Sequence, residues 1–340
     1  MTRRAYPEFH KAMMEQAFYP SAPRRIKYEE TRTSYLYRTG DHVYKIRKAS
    51  PVYSSLAIKE KYAQEALTLG QRWAPDVFET VWPISRTEGG YALGEQGEVV
   101  TYAVVMRQLP AHYWLHELIA NDKFTQTLVG RLARFLAEVH TQYPVEEKSS
   151  VFARPEHLRE LVDEVFYQAK KYIGTTLQQP LYDLVSRPMM RFLDESKRLL
   201  QRRVRKGRMV DGHGAFVPEH IHIKGRDIHA VSPLDGLAKL RIMDAANDVA
   251  TLVNELIRRE AAEQADLFVK RYATATKDRD LTRVLPAFQT FQAMRSGVLW
   301  SERQAESTAD ESKRAEMGDL ARAYFNMAMR FAREIPKDLR

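Results

Sequence analysis

Hydrophobic and polar positions change period along the chain, and the changes predict its elements. Phe9, Met13, Met14 and Phe18 recur at helical spacing before Pro20 and Pro23 break the pattern, so residues 1–29 read as a helical lead-in. The period then shortens to two. Residues 33–38 read as a strand, Thr39-Gly40-Asp41 as a turn and residues 42–47 as the returning strand, a hairpin flanked by β-branched and aromatic residues. From Leu56 to Trp73 the pattern turns helical, with Leu56, Tyr62, Ala66 and Leu69 as candidates for the buried face, and Pro75 stops it. Strands follow over residues 77–83, 90–93 and 99–106, the last an unbroken apolar run of the kind that fills a buried strand.

Leu109-Pro110 ends the β-rich part, and the remainder is mostly helical. Leu128, Leu132, Phe135, Leu136 and Val139 line one face of a helix that reaches His140. Further helices are predicted over residues 155–173, 180–204, 244–272, 281–304 and 312–334, with a β-rich interruption at 210–232 and a mobile loop at 307–312. The resulting division is a lead-in over 1–29, a small β-rich N-lobe with one helix over 30–109, and a larger helical C-lobe over 110–340 that carries the segment 210–248. This is an α+β architecture of two lobes.

Composition narrows the picture only moderately. A chain of 340 residues is long enough for two lobes that each bury a core. The absence of cysteine removes disulfides, thiolate metal sites and cysteine nucleophiles, and fits a reducing cytoplasm. The N-terminal residues lack the apolar core of a signal peptide, and no apolar run approaches the roughly 20 residues of a membrane span, so a soluble cytoplasmic protein is expected. A net charge of +9 favours an anionic ligand or partner without being a nucleic-acid signature.

Transfer of a phosphoryl group from a nucleoside triphosphate needs a cation on the phosphates, metal held by oxygen ligands and a group that orients the nucleophile. No Gly-x-x-x-x-Gly-Lys-Ser/Thr loop is present, which excludes a P-loop enzyme, and no glycine-rich kinase loop is present either. Lys45, inside the strand that follows the hairpin, has the context in which kinases place their phosphate-binding lysine. Alone it is equally a solvated side chain on an alternating strand.

The surroundings of Lys45 carry more. Thr33-Ser34, then Thr39-Gly40-Asp41-His42-Val43-Tyr44-Lys45-Ile46-Arg47-Lys48, is similar to the opening "THIS…GDxVYKIKK" of a bacterial family of aminoglycoside-phosphotransferase-like proteins. Ala74-Pro75-Asp76-Val77, the segment 102–110, His213-Gly214, the segment 242–248 and the late segment 285–295 resemble further landmarks of that family in the right order, over about residues 30–300. The resemblance implies a bilobal protein-kinase-like fold with a nucleotide cleft between the lobes, and ATP with magnesium as the family's cofactors. Carried over residue by residue, it implies phosphate binding by Lys45, an acidic partner best matched by Glu65, nucleotide contacts near Thr33 and Ser34, and an adenine-contacting hinge at Met106–Leu109.

The family's catalytic loop "HGDLHxxNI" becomes residues 213–221 here, so its orienting Asp is Ala215 and its metal-binding Asn is His220. Its second metal carboxylate falls on Ser232. Asp244 survives and is expected to support the loop, as is His213. Losing a general base costs roughly 10²–10⁴ in rate, and imidazole is a poor ligand for magnesium. Asp211, Glu219 and Asp235 are the carboxylates near enough in sequence to substitute. His220 and His222 on one strand face, with Glu219, sketch a transition-metal site, although ligands would have to converge at about 2.0–2.2 Å. The basic run 197–208 suits either nucleic-acid phosphates or a solvated helix end.

The expected function is therefore a catalytically impaired kinase-like protein, a pseudokinase, that binds a protein or small-molecule partner with or without ATP. Its alternatives are a divergent ATP-dependent phosphotransferase acting on a small hydroxylated molecule, and a nucleic-acid-associated factor.

Overall fold

The hairpin at Thr39–Asp41 closes as its sequence demands. Gly40 takes φ +95°, a left-handed conformation that glycine adopts without strain, and the Thr39 amide donates to His42 O at 2.9 Å. The computed structural model describes residues 6–50, 53–145 and 147–338. Contacts divide them into two units. One runs to Trp114 and also takes in Ile221–Gly236; the other comprises Leu115–His220 and the chain from Leu237 onward. The lobe boundary read near residue 110 thus falls a few residues later, and the stretch 221–236 belongs with the β-rich part rather than with the helical lobe.

In the first unit, strands β1 (Lys27–Glu30), β2 (Ser34–Arg38), β3 (His42–Arg47), β4 (Phe78–Thr87), β5 (Gly90–Leu93) and β6 (Glu98–Arg107) form an antiparallel sheet in the order β1-β2-β3-β6-β4-β5. Strand alternation divides the core into two layers. Tyr37, Tyr44, Ile46, Ile84, Ala103 and Val105 are buried on one face, together with Phe9, Met13 and Tyr19 from the N-terminal segment. Val104 faces the other side, where it packs with Ala63 and Ala66 of helix α2 (Leu56–Trp73) and with Val77 and Phe78. Ser55 caps α2 by accepting the Ile58 amide. Gly70 is required there, since a Cβ would lie 2.2 Å from the Phe78 ring. Leu56, read as buried, is 38% exposed at the first helical position.

The helical lead-in is largely replaced. Helix α1 spans only His10–Met13, a 3-10 turn covers Gln16–Phe18, and Lys27–Glu30 is an edge strand paired to β2. The helix ends at Met13, well before Pro20 and Pro23, and the charged β1 suits a sheet edge whose outer groups face water.

In the second unit the chain forms α3 (Leu115–Ala120), α4 (Gln126–Gln142), α5 (Pro155–Ala169), α6 (Gln179–Glu195), α7 (Lys197–Arg205) and the short β7 (Met209–Asp211). It then contributes the hairpin β8 (Ile221–Lys224) and β9 (Asp227–Ala230) to the first unit. Returning, it forms α8 (Ala238–Arg241), β10 (Ile242–Asp244) paired with β7, and α9 (Ala246–Arg258), α10 (Ala262–Thr276), α11 (Leu281–Glu306) and α12 (Glu311–Glu334). Two of the predicted long helices are broken. Residues 180–204 split at Ser196, and 244–272 become β10, α9 and α10, with Glu260 left-handed at φ +62° between the helices. The hydrophobic period continues across both breaks, so periodicity alone does not reveal them. Gly297 lets α12 approach α11, since a Cβ there would meet Phe325 at 2.5 Å. Among the described residues no helix is long and apolar enough to cross a membrane.

Arg203 of α7 is fully buried and lies between two carboxylates. It donates to Asp244 at 2.5 and 2.7 Å and to Asp278 at 2.9 and 2.9 Å, tying α7 to β10 and to the segment after α10. Removing one side of a buried ion network strands the charges that remain. Arg203→Ala is expected to lower unfolding stability by about 3–5 kcal/mol, read from denaturant midpoints; a loss below about 1 kcal/mol would show that the network carries little.

Candidate functional site

Lys45 sits opposite Val104 across β3 and β6, so its side chain emerges on the sheet face that packs against α2. Among the described residues the carboxylate that meets its ammonium is Asp235, at 3.6 Å. Arg47, two positions on and so on the same face, donates to the other oxygen of Asp235 at 2.6 Å. Asp235 reaches them because the chain leaving β9 twists through Ser232 at φ +60° and Gly236 at φ +67°. The Gly236 amide donates to Glu65 at 3.1 Å. A Cβ at Gly236 would lie 2.5 Å from the Tyr62 ring and 2.8 Å from the Tyr53 hydroxyl, and Arg47 stacks on Tyr53 at 4.2 Å. Lys45, Arg47, Lys59 and Asp235 line a small recess together with Ala63 and Ala66.

The residues matched to a nucleotide site are thus distributed as follows. Glu65, the matched partner of Lys45, holds the Gly236 amide, and Asp235 stands beside the lysine. Thr33 and Ser34 lie at the β1–β2 turn, where the Ser34 amide donates to Thr31 Oγ1 at 3.0 Å and Thr33 O accepts the Lys48 amide at 2.8 Å. Met106 and Leu109 pack, half-buried, against the α2-side core. Between them the Arg107 and Gln108 amides donate to Val77 O and Asp41 O at 2.8 and 2.7 Å.

In the second unit, the His213-Gly214 turn is held by Asp248. The His213 and Gly214 amides donate to its two oxygens at 2.6 and 2.8 Å, and Gly212 gives room, since a Cβ there would sit 2.5 Å from the carboxylate. His140 Nε2 donates to Asp248 at 3.2 Å, and Tyr272 donates to His140 Nδ1 at 2.8 Å. Burial works to raise the Asp248 pKa, but the hydrogen bond from His140, the electrostatics of His140 and His213, and the His213 amide outweigh it and hold the carboxyl below its ordinary value. The supporting role read for Asp244 therefore belongs to Asp248, while Asp244 serves Arg203 and accepts the Ala246 amide at 2.9 Å.

At the turn itself, Ala215 offers only its carbonyl, which accepts His220 Nδ1 at 2.9 Å. The sequence-nearest substitutes are committed elsewhere. Asp211 accepts Arg241 at 2.5 Å, and Glu219 pairs with Arg259. The drawn transition-metal set does not form. His220 is turned to Ala215 O, His222 Nε2 donates to Pro110 O at 3.2 Å, and no group of three or more His, Asp or Glu capable of holding a metal exists among the described residues. The magnesium that the fold family implies fits no better. The matched positions supply an imidazole and a left-handed serine, and Asp235, the available hard-oxygen ligand, is clamped by two cations.

Part of the basic run is paired with carboxylates of the same unit. Arg202 and Lys206 reach Asp280 at 3.0 and 3.4 Å, Arg203 is buried, and Arg208 lies 3.9 Å from Asp278. Asp278 and Asp280 thus pair with Arg202, Arg203 and Lys206 of the run, while Lys197, Arg198 and Arg205 stay exposed.

Comparisons place this architecture among known folds. No protein-family profile matches the chain. It is 21% identical over 299 residues to uncharacterized proteins of Mycobacterium tuberculosis and Mycobacterium bovis; the match takes in 84% of this chain and 57% of the relatives, so the chain spans little more than half their length. Among solved structures, a choline/ethanolamine kinase family protein of Mesorhizobium loti superposes with TM-score 0.56 at 14% identity, covering 96% of this chain and 100% of the other. A Ralstonia eutropha protein assigned as an aminoglycoside phosphotransferase gives 0.53 at 14%, with 97% and 99% covered. An amicoumacin kinase, solved with AMP-PNP, calcium ion and its antibiotic, gives 0.53 at 15%, with 94% and 92% covered. The fold is that of the protein-kinase-like phosphotransferases, α+β with a β-rich N-terminal sheet and a helical C-terminal region, as the sequence resemblance implied.

His222 supplies a pH-dependent test of the first unit. Its ring is buried opposite His229 and against Trp114; burial foremost, and then His229 and Lys224, push its pKa down to about 4, opposed by the bond to Pro110 O. A histidine depressed below its unfolded value near 6.5 contributes stability in full above that pH and loses it as pH falls toward 4. The protein should lose on the order of 2–3 kcal/mol across this window through His222, and His222→Phe should flatten the urea-midpoint profile there. An unchanged profile would refute the assignment.

Proposed function

We propose that this is a kinase-like protein that binds nucleotide through Lys45 and does not transfer its phosphate, acting instead by binding a partner. One observation carries the reading: the carboxylates around the catalytic turn are already committed. Asp211 is held by Arg241, Glu219 by Arg259, and Asp248 by the His213 and Gly214 amides and His140, while Ala215 has no acid to offer. An acceptor hydroxyl at that turn would meet no base, and the nucleophile would go unoriented. Nucleotide binding is supported by the cations Lys45 and Arg47 on one sheet face, and by an analogy of fold with neighbours such as the AMP-PNP-bound amicoumacin kinase.

A second reading, a divergent phosphotransferase on a small hydroxylated molecule, is favoured by Asp235. It is an acid beside the phosphate-binding lysine, three residues after the serine that replaces the family carboxylate. The amino-alcohol and aminoglycoside kinases among the structural neighbours make such an acceptor reasonable by analogy.

The two readings separate at one substitution. ATP should raise the melting temperature, and Lys45→Ala should remove the rise. If Asp235 only competes with phosphates for Lys45 and Arg47, Asp235→Asn tightens ATP binding by up to about tenfold, or about 1.4 kcal/mol, with no turnover in either form. ATP turnover with or without magnesium that Asp235→Asn abolishes would overturn the first reading and establish the second.

A further inference from the structure

Arg295 of α11 is a half-buried guanidinium with no carboxylate partner among the described residues, in a protein that pairs the buried arginines Arg203 and Arg241 with carboxylates. Its hydrogen bond among the described residues is a long one, 3.4 Å, to Gln292 Oε1 one turn back. Gln292, 4% exposed, uses its Nε2 to donate to Asn247 Oδ1, and Asn247, 1% exposed, is left with a buried Nδ2 that has no acceptor. The surroundings pull the Arg295 pKa below its ordinary value, because burial is unopposed by any negative charge. An unpaired cation and an orphaned amide within one hydrogen-bonded chain form a surplus of donors, and each such group costs free energy until an acceptor arrives. Asn247 is also the residue preceding Asp248, which holds the His213-Gly214 turn.

We propose that Arg295, Gln292 and Asn247 form a binding site for the anionic group, a carboxylate or phosphate, of a small-molecule ligand in the second unit. A planar two-oxygen anion is the shape that guanidinium binds with two parallel hydrogen bonds, and the Asn247 amide supplies a further donor. Partial exposure of Arg295 gives access, and the buried amides give the discrimination against neutral and cationic ligands that a solvated arginine lacks. The site does not depend on nucleotide binding at Lys45 or on phosphoryl transfer, since every residue in it belongs to the second unit.

The test is thermal denaturation with inorganic phosphate, sodium malonate or choline chloride at matched low-millimolar ionic strength, below the concentrations at which phosphate stabilises proteins nonspecifically. Phosphate or malonate should raise the wild-type melting temperature, by roughly 2 °C at tenfold excess over the dissociation constant, and choline chloride should not; which anion acts more strongly distinguishes a phosphate from a carboxylate site. Arg295→Gln removes the response. Should that variant fold poorly, Gln292→Glu sets a carboxylate beside both unpaired donors; it should melt higher than wild type in chloride and no longer respond. Absence of a wild-type response to both anions, or an equal response in either variant, overturns the proposal. Loss of the ATP response in Lys45→Ala with the phosphate response intact would mark the two sites as separate.

Discussion

A buried carboxylate must be supplied with donors or it will not stay ionised, and in this protein that requirement shapes the catalytic-type turn. Asp248 draws the His213 and Gly214 amides onto its two oxygens and takes a third hydrogen bond from His140, itself fixed by Tyr272. The turn's path follows from those bonds, and Gly212 is needed because the carboxylate leaves no space for a Cβ. Arg203, between Asp244 and Asp278, answers the same requirement from the cationic side. Asp248 thus holds a turn whose next residue is Ala215.

The first unit solves a different electrostatic problem. Lys45 and Arg47 lie on one face of β3, and Asp235 balances them from a segment 188 residues away in sequence from Arg47. The left-handed Ser232 and Gly236, together with Glu65 and the tyrosines around Arg47, hold that carboxylate in place. On the proposed reading, phosphates arriving at Lys45 would compete with Asp235 for the same cations, and affinity for nucleotide would be a balance between two anions rather than a matter of an open positive site.

Much of the fold was legible because local chemistry and tertiary context agree. The β2–β3 hairpin, α2 from Ser55 to its stop near Pro75, and the long helices α11 and α12 each have a period, a cap or a turn residue that names them. The misses have physical causes. Lys27–Glu30 is an edge strand made mostly of charged residues, so no apolar alternation marks it, and Ser196 and Glu260 interrupt helices without interrupting the hydrophobic period. The fate of 221–236 was not legible at all, since which unit a hairpin joins is decided by packing such as that of Val231 on the apolar cluster between α2 and the sheet. For the candidate site, the sequence singled out Lys45 and Ala215 through the resemblance. It could not tell Asp235 from Asp211 and Glu219 as neighbours of the lysine, because the difference lies in which arginine each one meets.

The most direct test of the central claim, that nucleotide is held while phosphoryl transfer is not supported, is phosphorus NMR of ATP with the purified protein over several hours, with and without magnesium. Broadening or shift of the ATP resonances that Lys45→Ala abolishes, with no growth of ADP or inorganic phosphate signals, is the predicted result. Accumulation of either product by the wild type and not by Lys45→Ala, or ATP resonances identical to those of free ATP, would contradict it.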